Sequence, residues 1–164
     1  MENVIGSLGS KFHSKDGDVD GSSLKTAKFI GIYFSAHWCP PCRNFTPVLA
    51  EFYKKVNASE KVLEIVFASS DSDEKSYREY LATMPWIALP LENDVKDSLS
   101  DAYHVNGIPK LVILRQNGTL ITENGRGEVT SIGQGCIEKW GVEPKSFDTP
   151  LWLEIKNGKE IKSK

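Results

Sequence analysis

The chain has 164 residues, of which 40% are hydrophobic and 26% charged, and its formal net charge is −2 at pH 7. This length fits one domain with a full hydrophobic core. The small net charge argues against nucleic acid or an anionic membrane as a partner, and no apolar stretch is long enough to span a bilayer. Residues 1–7 lack the basic and apolar regions of a secretory signal, so we expect a cytosolic or nuclear location.

The N-terminal part of the chain contains a turn signal followed by an apolar run. Residues 1–28 are rich in glycine and serine, and Asp16-Gly17-Asp18 lies between two short apolar segments. This pattern predicts a short β-hairpin or edge strand that extends the N-terminus. Residues 29–36 are almost continuously apolar, which predicts a central strand covered on both faces.

Helical and strand patterns then alternate. Apolar residues at helical spacing over 42–57 predict an amphipathic helix that bends at Pro47 without ending there. Residues 62–68 form a second apolar strand. The polar cluster 69–74 is rich in helix-capping residues, so a helix is expected to follow it and to end at Met84-Pro85-Trp86.

The last part of the chain predicts a helix from about residue 93 and a hairpin of strands 110–115 and 119–122 around Asn117-Gly118. Apolar spacing over 128–140 suggests a final helix, which Gly133 and Gly135 disfavour. We therefore expect one α/β domain over residues 1–143, with a mixed sheet flanked by helices on both faces, and a polar tail over 144–164.

The most informative segment is Trp38-Cys39-Pro40-Pro41-Cys42, directly after the first central strand. It places two thiols at i and i+3 near a helix N-terminus, where unpaired amides and the helix dipole favour a thiolate. Such positions lower a thiol pKa from about 8.5 to about 7 or below. Pro40 and Pro41 stiffen the turn because they fix φ and remove two donors. The pair can therefore close and reopen a disulfide.

Two structural alternatives for this pair are weaker. A permanent disulfide is rare in the cytosol. A structural zinc site needs four ligands, and only Cys136, His13, His37 and His104 are available to complete one, without forming a second pair. Cys136 is more simply a small buried apolar residue. We expect no metal and no prosthetic group, since the cysteine pair itself carries two electrons.

Several blocks in order resemble the thioredoxin superfamily, and especially tryparedoxins and nucleoredoxin-like proteins. They are residues 33–43, Phe45-Thr46-Pro47, Glu51-Phe52-Tyr53, Met84-Pro85-Trp86 and Ile108-Pro109. The resemblance implies a thioredoxin fold in which Cys39 attacks, Cys42 resolves and Pro109 is a cis-proline facing the disulfide. Thioredoxins carry a buried aspartate where this chain has Tyr33, so that carboxylate is not available for proton transfer to Cys42.

The same resemblance suggests the surroundings of the cysteines. Trp38 is expected to shield the disulfide and contact substrate, with ordinary core packing as the alternative. The Ile108 backbone is expected to pair with an extended substrate segment. Arg126 is a candidate for the rim facing a charged thiol substrate, although a solvated surface position is as good an interpretation.

These features predict a thiol–disulfide oxidoreductase that reduces protein disulfides. The resemblance implies electrons from a low-molecular-weight thiol or a thioredoxin-reductase-type donor, and a peroxidase as a further acceptor. The alternative function is a redox-sensitive protein-binding module of nucleoredoxin type with little turnover. A secretory-pathway isomerase is disfavoured, because neither a signal nor a retention sequence is recognised.

Overall fold

The computed structural model describes residues 6–92 and 94–141. Contacts divide the chain into two units, Met1–Gln134 and Gly135–Lys164, and the sheet and the cysteine pair belong to the first. Within the described ranges, none of the helices combines the length and apolarity needed to cross a bilayer. The predicted tail over 144–164 and the predicted domain boundary before it lie outside these residues.

Seven strands form one mixed sheet in the order β2-β1-β5-β4-β3-β6-β7. The strands are β1 (Phe12–Ser14), β2 (Gly17–Val19), β3 (Phe29–Ser35), β4 (Leu63–Ser69), β5 (Ile87–Ala88), β6 (Lys110–Arg115) and β7 (Leu120–Thr122). The helices are α1 (Ser23–Thr26), α2 (Pro40–Val56), α3 (Glu74–Leu81), α4 (Val95–Ala102), α5 (Gly125–Ile132) and α6 (Cys136–Gly141).

Strand directions bring three loops to one edge of the sheet. β3 and β4 are parallel with Ser35 opposite Ser69, so the segments that follow them start side by side. β6 is antiparallel to β3, with Lys110 opposite Phe34. The residues just before β6 therefore lie beside the residues just after β3. This topology places Pro109 next to the start of α2.

Every residue of β3 and β4 is buried, because helices cover both faces of the sheet centre. On one face, Ile30, Ile32 and Phe34 belong to an apolar cluster that includes Leu24 of α1 and Leu99 of α4. On the other face, aromatic rings meet. Tyr33 and Phe67 pack against rings from α2, α3 and the segment before β5: Phe45, Tyr77, Tyr80 and Trp86. The predicted sheet with helices on both faces is confirmed.

The predicted N-terminal hairpin is also confirmed, since β1 and β2 pair antiparallel with Ser14 opposite Gly17. Its turn is at residues 15–16, slightly earlier than predicted. Two short elements, α1 and β5, were not predicted. The helix predicted over 128–140 is wrong as a single element. α5 starts earlier and ends at Ile132, because Gly133 adopts φ 69°.

Candidate active site

Cys39 is the N-cap residue of α2, and its sulfur takes the place of a capping oxygen. Its backbone is extended, with φ −96° and ψ 111°, and Pro40 and Pro41 occupy the first two helical positions. Neither proline has an N–H group, so the first amide donor of the helix is that of Cys42. This amide donates to Cys39 Sγ over 3.3 Å. The CPPC sequence thus directs the first free helix donor to the first sulfur.

The loop before β6 covers the other side of Cys39. The Ile108–Pro109 peptide bond is cis, as the resemblance implied. The Cys39 thiol donates to the Ile108 carbonyl, with 3.8 Å between Sγ and O. Arg126, near the start of α5, donates to the Pro109 carbonyl over 3.5 Å. The fold therefore brings the Ile108 carbonyl to Cys39 and Arg126 to the adjacent Pro109.

A buried carboxylate holds the segment between β3 and α2. Asp71 accepts hydrogen bonds from the His37 amide at 2.8 Å and from the Ser69 hydroxyl at 2.8 Å. The guanidinium of Arg43 donates to the His37 carbonyl over 2.7 Å. Trp38, next in sequence, is 61% exposed, and its indole N–H donates to the Ser70 carbonyl over 3.2 Å. Core packing, the alternative for Trp38, is therefore excluded.

Cys39 and Cys42 differ slightly in burial, and both residues are largely covered. Cys39 is 5% exposed and Cys42 is fully buried. Both are free thiols, as is the buried Cys136. Among residues 6–92 and 94–141, no three His, Cys, Asp or Glu side chains converge in a group able to hold a metal ion.

Cys42 lies in a setting that keeps it protonated. Burial, and secondarily its hydrogen bond with Cys39, raises the pKa of the Cys42 thiol to about 11. Hydrogen bonds from the Ser35 hydroxyl and the Ala36 amide act in the opposite direction. At neutral pH Cys42 is therefore a thiol, and it must lose its proton before it can act as a nucleophile.

The sequence did not predict the polar groups behind Cys42. The hydroxyls of Tyr33, Thr46, Tyr80 and Ser35 are linked by short hydrogen bonds in the core. Tyr80 had the spacing of a core residue on α3, and Ser35 that of a strand-end or capping residue. A usable signal was the spacing of Thr46, which lies one helical turn after Cys42 and faces the same side of α2.

Comparison with known proteins identifies the fold family. The family model described as thioredoxin-like matches residues 27–120, more than half of the chain. The chain belongs to the thioredoxin-like oxidoreductase family, and the predicted thioredoxin-like fold is confirmed.

Within this family the chain is similar to both predicted groups. Tryparedoxin of Trypanosoma brucei brucei is 40% identical over 129 residues, covering 77% of this chain and 88% of that protein. Nucleoredoxin of Mus musculus is 40% identical over 131 residues, covering 76% of this chain but 30% of that protein. The chain thus spans about a third of the nucleoredoxins it matches.

A solved structure of tryparedoxin II complexed with glutathionylspermidine superposes with a TM-score of 0.70 at 30% identity. The match covers 90% of this chain and 98% of that one. The fold of this chain therefore corresponds to that of a tryparedoxin.

Proposed function

We propose that this chain catalyses thiol–disulfide exchange and reduces protein disulfides through Cys39 and Cys42. The observation that carries the proposal is the Cys42 amide donating to Cys39 Sγ at the N-terminus of α2. An amide donor and the positive end of the helix dipole stabilise negative charge on that sulfur. Cys39 is also the sulfur of the pair that retains some exposure, so an incoming disulfide reaches it first.

The exchange takes two steps. Cys39 thiolate attacks one sulfur of the substrate disulfide, forms a mixed disulfide and releases the other substrate sulfur as a thiolate. Cys42 then attacks Cys39 Sγ, which breaks the mixed disulfide and releases the second substrate sulfur. The chain ends with a Cys39–Cys42 disulfide. The substrate has gained two electrons from the pair and two protons, one from the Cys42 thiol and one from solvent, which had taken up the Cys39 proton.

The surface around Cys39 suits an extended disulfide substrate. The Ile108 carbonyl and the cis-Pro109 lie beside the sulfur, where the Ile108 backbone pairs with a substrate strand. The exposed indole of Trp38 supplies apolar contact on the other side. Arg126 adds a positive charge next to Pro109 for an anionic substrate. Pro40 and Pro41 keep the first turn of α2 rigid while the disulfide opens and closes.

A second dithiol or thiol must return the electrons. We propose a low-molecular-weight thiol or a thioredoxin-reductase-type protein as donor, and a peroxidase as one acceptor, in the cytosol or nucleus. A structurally similar tryparedoxin II is complexed with glutathionylspermidine, which supports a small thiol as the donor. The proposed cycle needs no prosthetic group.

Reduction of insulin disulfides by dithiothreitol, followed by turbidity, tests the proposal. Cys39→Ser is expected to abolish the catalysed rate. Cys42→Ser is expected to accumulate a mixed disulfide between Cys39 and substrate, visible as a mass increase that dithiothreitol reverses. Full activity of Cys39→Ser would refute the assigned roles. Coupled assays with glutathione, trypanothione, or NADPH and thioredoxin reductase then identify the donor that turns over.

A redox-sensitive binding module is the second candidate. It is favoured by the 61% exposure of Trp38, a large apolar side chain beside the cysteine pair. Large exposed aromatic residues often mark protein contacts. In this case the reduced and oxidised chains would differ in partner capture, and turnover with every donor would be slow. Multiple turnover of insulin at a catalytic concentration of the chain contradicts this candidate.

A further inference from the structure

Four buried hydroxyl groups form a continuous chain behind Cys42. Tyr33 Oη lies 2.7 Å from Thr46 Oγ1, and Thr46 Oγ1 lies 2.6 Å from Tyr80 Oη. Tyr80 Oη in turn lies 2.6 Å from Ser35 Oγ. All four side chains are at most 3% exposed. These residues come from β3, α2 and α3, so their hydroxyls meet only in the folded protein.

Both ends of this hydroxyl chain reach Cys42. At one end, the Ser35 hydroxyl lies close enough to the Cys42 thiol to lower its pKa. At the other end, Thr46 Oγ1 donates to the Cys42 carbonyl over 3.0 Å. Tyr33 Oη is also 3.5 Å from that carbonyl, so the carbonyl has a second donor within reach.

The geometry permits two directions of hydrogen bonding with the same heavy-atom positions. Each hydroxyl has one proton and rotates to suit its partners. In the first direction Ser35 donates to Tyr80, Tyr80 to Thr46, and Thr46 to the Cys42 carbonyl, which leaves Ser35 Oγ free to accept the Cys42 S–H. In the second direction Thr46 donates to Tyr80, Tyr80 to Ser35, and Ser35 to a Cys42 thiolate. Tyr33 then donates its one proton to Thr46 Oγ1 at 2.7 Å, and its oxygen stays 3.5 Å from the Cys42 carbonyl.

The titratable groups around Cys42 determine which of them can donate a hydrogen bond to its sulfur. The titratable groups facing Cys42 are Cys39 on its own helix, Tyr80 from α3 and Tyr33 from β3. Burial raises the pKa of both tyrosines, so they remain protonated donors. Within the part of the chain that the structure describes, the hydrogen bonds of these hydroxyls go to one another or to Cys42, and none goes to a carboxylate.

We propose that Ser35, Thr46 and Tyr80 are positioning residues for the resolving step, a role that rests on the exchange function proposed above. Their hydrogen bonds run from Ser35 toward the Cys42 carbonyl while Cys42 is a thiol, and they reverse toward its sulfur as negative charge develops. Cys42 Sγ then bonds to Cys39 Sγ, and the bond from Cys39 to the substrate sulfur breaks. The departing sulfur takes that electron pair, and the proton that Cys42 has lost neutralises it through solvent. The hydroxyls end with the protons they began with.

Stopped-flow reaction of the reduced chain with equimolar 5,5′-dithiobis(2-nitrobenzoate) separates the two steps. Attack by Cys39 releases one coloured thiolate at a concentration-dependent rate, and resolution by Cys42 releases the second at a concentration-independent rate. We expect Ser35→Ala and Tyr80→Phe to leave the first phase unchanged. The second phase should slow about tenfold in Ser35→Ala, which loses a hydrogen bond to a charged sulfur. Tyr80→Phe should slow it about threefold, because it weakens that donor indirectly.

The control for Tyr80→Phe is Tyr77→Phe, which removes another buried hydroxyl of α3 that donates to the Leu89 carbonyl instead. It should resolve at the wild-type rate. Thr46→Val should slow resolution whereas Thr46→Ser, which keeps the hydroxyl, should not. In the slowed variants the rate–pH profile of the second phase should move to higher pH, which a loss of packing alone does not produce.

The outcomes separate this role from the exchange function. If wild-type chain releases two thiolates but Ser35→Ala and Tyr80→Phe resolve with its rate and pH profile, the positioning role is wrong and the exchange function stands. Equal slowing by Tyr77→Phe and Tyr80→Phe also overturns it. If the wild-type chain shows no intramolecular second phase, the exchange function itself is refuted, and this role with it.

Discussion

The amide of Cys42 donates to the sulfur of Cys39, so one hydrogen bond joins the two members of the cysteine pair. The same bond caps helix α2, whose first two positions are prolines without N–H groups. The proposed nucleophile and the helix cap are therefore one atom. Stability and reactivity at this position depend on the same contact.

The first prediction concerns this cap in the reduced protein. Cys39→Ala removes the acceptor for the Cys42 amide, whereas Cys39→Ser replaces it with a good capping oxygen. We expect the free energy of unfolding of Cys39→Ala to be about 1 kcal/mol below that of Cys39→Ser. Urea denaturation followed by circular dichroism measures the difference.

Asp73→Ala provides the matched reference, because Asp73 caps α3 by accepting from the Ser76 amide over 3.0 Å. Asp73→Ala should lower the free energy of unfolding by a similar amount. Equal stability of Cys39→Ala and Cys39→Ser would show that the sulfur contributes nothing as a cap.

The second prediction concerns the buried thiol. Burial raises the pKa of the Cys42 thiol to about 11, well above the value of an ordinary thiol. As pH rises above about 9, the unfolded chain loses the Cys42 proton before the folded one does, so the free energy of unfolding of the reduced protein falls. Below about pH 9 both states keep the proton, and Cys42 contributes no pH dependence.

Denaturation of reduced wild type and of Cys42→Ser between pH 8 and pH 11 measures this effect. Buried tyrosines also destabilise the fold above pH 10, but both proteins contain them, so their contribution cancels in the difference. The free energy of unfolding of wild type should fall more steeply with rising pH than that of Cys42→Ser. Parallel curves would contradict the assigned environment of Cys42.

Local patterns were sufficient to predict the elements that carry the cysteines. The apolar run of β3 and the spacing of α2 are periodic within one segment, and Cys39 with Pro40 and Pro41 has the chemistry of a helix start. By contrast, β5 has two residues, and it is a strand because Ala88 pairs with Phe67 and with His13. No window of sequence around β5 contains those partners.

The hydroxyl chain was missed for a similar reason. Tyr80 lies 34 positions from Thr46 and 45 from Ser35, so helical spacing identified its buried ring but not the partners of its oxygen. The cover over Cys39 also comes from far away, since Ile108 is 69 positions distant.

The third prediction compares two tryptophans. Trp38 is 61% exposed, whereas Trp86 is 1% exposed and packs edge-on against Tyr33 and Tyr53. Trp38→Ala should change the free energy of unfolding by less than about 0.5 kcal/mol. Trp86→Ala should lower it by about 3–5 kcal/mol.

Trp38→Ala should lower activity although it hardly changes stability. Its loss should lower kcat/KM for insulin several-fold while the reaction of Cys39 with a small aromatic disulfide changes less, because the indole contacts the protein substrate beyond the sulfur. Steady-state insulin reduction and stopped-flow measurement of the small disulfide provide the two values. A large loss of stability in Trp38→Ala would contradict its exposed position.

The last prediction concerns the charge of Arg126. Its guanidinium donates to the Pro109 carbonyl, beside the loop that contacts Cys39, and the side chain is otherwise exposed. Arg126→Gln keeps a donor for that carbonyl but removes the charge. Reduction of the oxidised chain by glutathione, which is anionic, should slow several-fold, whereas reduction by neutral dithiothreitol should not.

Arg78→Gln is the control, because Arg78 is an exposed arginine paired with Glu74. The glutathione effect should shrink as salt is raised to about 1 M, where the screening length falls to about 3 Å. An equal effect on both reductants, or one independent of salt, would show that Arg126 acts by holding the Pro109 loop and not by attracting the thiol.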